Sequence, residues 1–152
     1  MATLKEQLNR VKKLNPTRIS KILFDSIRSK EKDLIEINTE NQLSDGVDSE
    51  GKRLFNKRTK RSVYSSLTEE ISGGRKKAGT PYTLEDTGDF YKGFFIETKK
   101  DKAVFSSKDS KTPLLVAEYG EIFGLTDKNL EAVIQKKLLP LLQKEIRRTL
   151  DI

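Results

Sequence analysis

Four stretches of the chain carry side chains from which a chemical site could be built. The loop Asp45-Gly46-Val47-Asp48-Ser49-Glu50-Gly51 spaces carboxylates and a hydroxyl in the manner a hard cation requires, several oxygens at fixed offsets. It lacks the acid at the third offset, the glycine at the sixth and the closing glutamate of an EF-hand, so turn chemistry is the better reading and no metal is assigned. Ser72-Gly73-Gly74-Arg75-Lys76-Lys77 offers glycine amides and cations to a phosphate. It has no Gly-Lys-Ser/Thr ending and no apolar strand before it, and reads as a plain basic loop that could still touch a DNA backbone or an acidic neighbour.

General acid-base chemistry would need carboxylate pairs, which Asp86 with Asp89 or Glu118 with Glu121 could supply. The first pair flanks a Thr-Gly turn, where aspartate usually bonds its own backbone, and no catalytic residue is assigned. Phe90, Tyr91, Phe94 and Phe95 crowd one segment and could stack bases if rings stood exposed among cations. In a strand, Phe94 and Ile96 would face one way and Tyr91 and Phe95 the other, which makes one pair core and the second a subunit interface.

Composition narrows the chemistry further. With no cysteine and no histidine, disulfides, thiolate nucleophiles and the common zinc, haem and Ser-His-Asp arrangements lose their parts. No cofactor and no enzymatic activity are expected. The 152 residues suit one core. Hydrophobic residues make up 34% against 35% charged, below the roughly 45–50% apolar content of ordinary domains, so part of the surface is expected to gain order from neighbours. The net charge of +7 suits nucleic acid, an acidic protein surface or an anionic membrane. No apolar run approaches the roughly 20 residues of a membrane span, and Lys5, Glu6 and Arg10 stand where a signal peptide is apolar, so a soluble chain not secreted by that route is expected.

The elements that would position these residues follow from local rules. Thr3 and Glu6 have capping-box spacing before Leu4, Leu8 and Val11, which predicts a short amphipathic helix ending by Leu14. Asn15-Pro16 reads as cap and first residue of a second helix with Ile19, Ile22, Leu23 and Ile27 on its apolar stripe. Residues 29–42 fit helix or strand, and continued helix to about Asn38 is favoured. Residues 45–61, with two glycines, a basic run and few apolar anchors, predict a surface loop.

Ser65 or Ser66 can cap a brief helix through Leu67 and Ile71 that Gly73-Gly74 would stop, followed by a basic connector to Pro81. A turn at Asp86-Thr87-Gly88 then leads to strands over 91–98 and 102–106. Residues 113–119 fit a helical turn or edge segment stopped by Gly120. Thr126 caps a last helix carrying Leu130, Val133, Ile134, Leu138, Leu141, Leu142 and Ile146, in which Pro140 predicts a kink or break near Leu139. The sum is an α+β fold, a small antiparallel sheet packed by N-terminal helices and a long C-terminal helix. Its expected division is an N-terminal helical segment, 1–30, and a single domain, 31–152.

The order Leu84, Asp86-Thr87-Gly88-Asp89-Phe90-Tyr91, two strands, Tyr119-Gly120 and Phe123-Gly124-Leu125-Thr126 resembles the tail-completion and neck proteins of tailed phages. Upstream, residues 42–52, Tyr64-Ser65 and Lys76-Lys77 resemble the forms of this family common in phages of Bacteroidota. The chain departs from the family in its helical N-terminus and in lacking Arg-Pro before the Phe-Gly-Leu step. The resemblance implies a structural virion protein that forms a homo-oligomeric ring and joins portal or adaptor to the tail tube. It implies assembly in the host cytoplasm, incidental contact with packaged DNA and no membrane. Residues 45–61, 75–80 and the turns after Pro140 are the expected docking elements. The alternative is a basic nucleic-acid-binding accessory protein.

Overall fold

Four of the helix starts fall on side chains that satisfy their free amides. The computed structural model, which describes residues 2–152, begins with α1 (Leu4–Lys12), where Thr3 and Glu6 form the capping box. In α2 (Pro16–Ser29) the Asn15 side chain accepts from the Arg18 amide at 2.8 Å. The favoured continuation of α2 gives way at Lys30, whose backbone leaves the helical region (φ −109°, ψ 11°), and a separate helix α3 (Glu31–Thr39) follows. The cause is tertiary. Glu31, the first residue of α3, turns to accept the Ile96 amide at 2.8 Å, which ties the helix start to the sheet. A 3-10 turn (Leu43–Asp45) closes this part.

Next come α4 (Ser66–Ile71), capped by Ser65, and the one-turn α5 (Asp89–Lys92). The sheet is a single hairpin of β1 (Phe94–Lys99) and β2 (Lys102–Ser107), with Ile96 opposite Phe105. Tyr91 was expected to open the first strand but lies in α5 instead. The Thr-Gly turn, with Gly88 at φ 87°, feeds one helical turn before the chain extends. That turn directs Phe90 and Tyr91 inward together with Phe94, so three of the four clustered rings are core and the two-faced strand reading fails. Phe95 is half-buried, with the Lys108 ammonium 5.5 Å from its ring centre.

The remaining helices are α6 (Thr112–Tyr119), stopped at Gly120, and α7 (Asp127–Val133), capped by Thr126. A π-helical turn (Ile134–Leu138) joins α7 to α8 (Leu139–Leu150). Pro140 therefore neither breaks nor ends the helix. The wider π-helical turn just before it, next to the position where a kink or break is expected, accommodates the ring and the lack of an amide there.

Two apolar clusters result. The larger gathers Leu43, Leu54, Tyr64, Tyr82, Phe90, Tyr91, Phe94 and Ile122. The smaller packs Leu34, Val133 and Leu138 against Ile27, Ile96 and Phe105, so the hairpin lies on α2, α3 and the C-terminal helix as an α+β arrangement. Helix α1 rests on the far end of α8, where Arg10 donates to the Leu150 carbonyl at 3.3 Å and pairs with Asp151. A cation there also suits the negative end of the α8 dipole.

Candidate docking surfaces

The segment Ile122-Phe123-Gly124-Leu125-Thr126 crosses the molecule without regular structure, so its buried polar groups need partners elsewhere. Two side chains from the end of α3 and just beyond supply them. Asn38 donates to the Ile122 carbonyl at 3.1 Å and accepts the Gly124 amide at 2.8 Å. Gln42 donates to the Gly124 carbonyl at 2.9 Å, and its Oε1 accepts both the Thr126 amide at 3.0 Å and the Asn129 side chain at 2.9 Å. Both are buried, and this clasp sets where α7 begins. Gly88, Gly120 and Gly124 all hold positive φ (87°, 78° and 114°), the region glycine enters most readily.

The loop 45–61 is on the surface as expected, but it is well anchored. Leu54 is fully buried within the larger cluster. Asp48 Oδ1 accepts the Glu50 and Lys52 amides, both at 2.9 Å, so the carboxylate of the cation-like stretch is engaged in turn hydrogen bonds. Asn56 accepts the Arg58 and Thr59 amides and donates to Glu118 at 3.2 Å. Arg58 donates to the other Glu118 oxygen at 2.7 Å, and that carboxylate holds the guanidinium above its ordinary pKa. Glu118 thus fastens the loop, and Glu121 binds it through its backbone carbonyl to the Ser49 amide.

The basic connector and the first carboxylate pair meet each other. Arg75 and Lys76 each lie 3.3 Å from Asp86, with Lys111 at 4.0 Å. The charge of Lys76, its hydrogen bond, and the charges of Arg75 and Lys111 hold the Asp86 carboxyl below its ordinary range. Asp89 is placed by its own amide, which donates to Thr87 Oγ1 at 3.4 Å. Tyr64, Tyr82 and Tyr119 stack edge to face at 4.9 and 5.4 Å. Burial pushes Tyr119 up to about 12, and it raises Tyr91, whose hydroxyl donates to the Thr83 carbonyl. Among the described residues no three metal-binding side chains gather, and no helix is long and apolar enough to cross a membrane.

The turns after Pro140 are half-buried against α1 and α2 on their apolar side. Apolar exposure lies elsewhere. On α1, Leu4, Leu8 and Val11 form one stripe and are 87%, 53% and 52% exposed. Leu67 and Ile71 on α4 and Leu114 and Val116 on α6 are also exposed. Between the hairpin and α7 runs a groove of about 530 Å³, lined by Ile96, Phe105, Phe123, Leu125, Leu130 and Val133 among others, with exposed Leu130 at its edge. Periodicity marked the α1 stripe, but nothing local in the sequence shows that it has no internal partner. The clasp residues Asn38 and Gln42 and the groove carried no local signal at all.

Comparison of the chain with protein-family models, with curated proteins and with solved structures finds no significant match.

Proposed function

We propose that this chain is a structural docking subunit that forms a ring at the head-tail neck or tail-completion position of a tailed phage. The observation that carries the reading is the unequal treatment of its surfaces. Every buried side-chain polar atom among the described residues has a partner, yet apolar side chains on α1, α4, α6 and α7 face solvent. Scattered single exposures are ordinary, whereas an exposed helical stripe together with a separate open apolar groove fits contact with other chains. The order of Thr-Gly turn, hairpin, Tyr-Gly stop and Phe-Gly-Leu-Thr cap supports the phage assignment by resemblance. Each step also has a local role here, as a turn, a helix stop or the clasped entry to α7.

The role is binding, in which repeated head-to-tail contacts close a ring whose two faces meet portal or adaptor and tail tube. The test is the composition of purified particles of the source phage. The subunit is expected in them at fixed stoichiometry, and class averages should show a ring between head and tail. Its absence from mature particles overturns the reading.

The second reading, a nucleic-acid-binding accessory protein, draws on the net charge of +7 and the exposed Lys57, Lys60 and Arg61. It is weakened by the internal use of Arg58, Arg75, Lys76 and Lys111 on Glu118 and Asp86. A gel shift at two salt concentrations separates them, because an electrostatic DNA binder loses affinity steeply with salt.

A further inference from the structure

The exposed stripe and the open groove lie at opposite ends of one rod. From Asp127 to Leu150 the joined α7 and α8 run roughly 35 Å at about 1.5 Å per residue. The groove opens at the α7 end, beside Leu130 and Val133. Helix α1 is fixed at the other end by Arg10 on Leu150 and Asp151. The stripe therefore cannot fill the groove of its own chain while α1 stays there.

We infer that the Leu4, Leu8 and Val11 stripe of one copy docks in the groove between hairpin and α7 of the next copy. This deepens the ring reading above by naming the contact, but rests on that reading only for its biological setting. An amphipathic helix with anchors at i, i+4 and i+7 is the usual guest of an apolar groove. Charge favours a second copy as that guest. Lys5, Lys12 and Lys13 flank the stripe, and none is used in an ion pair among the described residues. On the α7 side of the groove, residues 121–131 hold Glu121, Asp127 and Glu131 against Lys128 alone, whereas the hairpin side carries lysines such as Lys102. Asp127, Leu130 and Glu131 share the outward side of α7 by their three- and four-residue spacing, Ile134 follows at the start of the π-helical turn, and all four are exposed.

Because donor and acceptor patches differ, the contact is heterologous and repeats from copy to copy, and in the ring reading it closes on itself. Three side chains cover less than the roughly 800 Å² per partner of a stable complex, so one contact is weak and a closed ring, with two contacts per subunit, is the stable form.

The chain has no cysteine, so thiols can be introduced one at a time. Leu8→Cys and Leu130→Cys both alter exposed positions and should fold, which circular dichroism checks. Mixed and treated with a short bifunctional maleimide, the two variants should give heterodimer at about tenfold the yield of either alone, and the double variant a ladder of dimer, trimer and longer species. Leu67→Cys, on the exposed face of α4, is the control partner and should stay at background.

Efficient homodimer from Leu8→Cys alone would replace the inference with a symmetric helix pair. Equal joining to Leu67→Cys would reduce it to unspecific adhesion. No mixed product up to the solubility limit would assign the groove to a different protein. A ladder from a protein absent from particles would keep this contact and sink the neck role. A subunit present in particles whose two thiols never join would do the reverse.

Discussion

The seam at Ile122–Thr126 and the stripe on α1 are treated in opposite ways by the fold. At the seam, an irregular and largely covered backbone has four of its polar groups, the Ile122 and Gly124 carbonyls and the Gly124 and Thr126 amides, bonded by Asn38 and Gln42. On α1, the backbone is regular and well capped, but its leucines stand in water. A chain that can satisfy a buried seam so fully has the means to cover three side chains. The proposed docking role accounts for the difference, with the seam serving the fold itself and the stripe serving contact with other chains.

Loosening the seam should carry the largest cost. Gln42→Leu keeps the bulk but leaves the Gly124 carbonyl, the Thr126 amide and the Asn129 side chain without partners. It should lower unfolding free energy by about 3–5 kcal/mol in urea titration, and a change near zero would mean the clasp is incidental. Gly46→Ala tests the packing beneath the loop 45–61. Gly46 holds φ +76°, and an added Cβ would lie 2.5 Å from the Pro81 Cβ, so a loss of about 2–3 kcal/mol is expected by the same titration.

Asp86 sharpens the surface side of the contrast. Its depressed pKa means its contribution is complete above the unfolded value, near 3.8, and is lost as pH falls through the lower folded value. With the carboxylate 44% exposed, screening keeps the effect below about 1 kcal/mol. Asp86→Asn should flatten the acid limb of the stability profile below about pH 4, and more visibly at low salt. The smallest effect on folding is expected at Leu8→Ser. Replacing this exposed leucine by a hydroxyl should move stability by no more than about 0.5 kcal/mol while weakening self-association measured by light scattering severalfold, more than the apolar thiol of Leu8→Cys does. A large stability loss there would erase the distinction between stripe and core.

Features governed by near neighbours were legible in the sequence. The Thr3-Glu6 box, the Asn15-Pro16 start, the Ser65 and Thr126 caps and the hairpin all stand where local rules place them. Features set by distant partners were not. Asn38 bonds a carbonyl 84 positions away, and Leu54 is buried by a tyrosine cluster that a basic loop gives no reason to expect. The run Phe90-Tyr91 has strand-like composition, and the preceding Gly88 turn overrides it. For the candidate surfaces, periodicity identified the apolar side of α1, but whether that side is covered depends on the whole fold.

Amide hydrogen exchange, compared between the dilute monomer and the concentrated assembled protein, distinguishes a seam that serves the fold from a stripe that serves contact. The account expects α1 and α7 amides to exchange fast in the monomer and to gain protection on assembly, with the amides of residues 122–126 protected equally in both. Assembly that leaves α1 exchanging as fast as before, or a monomer in which α1 is already as protected as the seam, would contradict it.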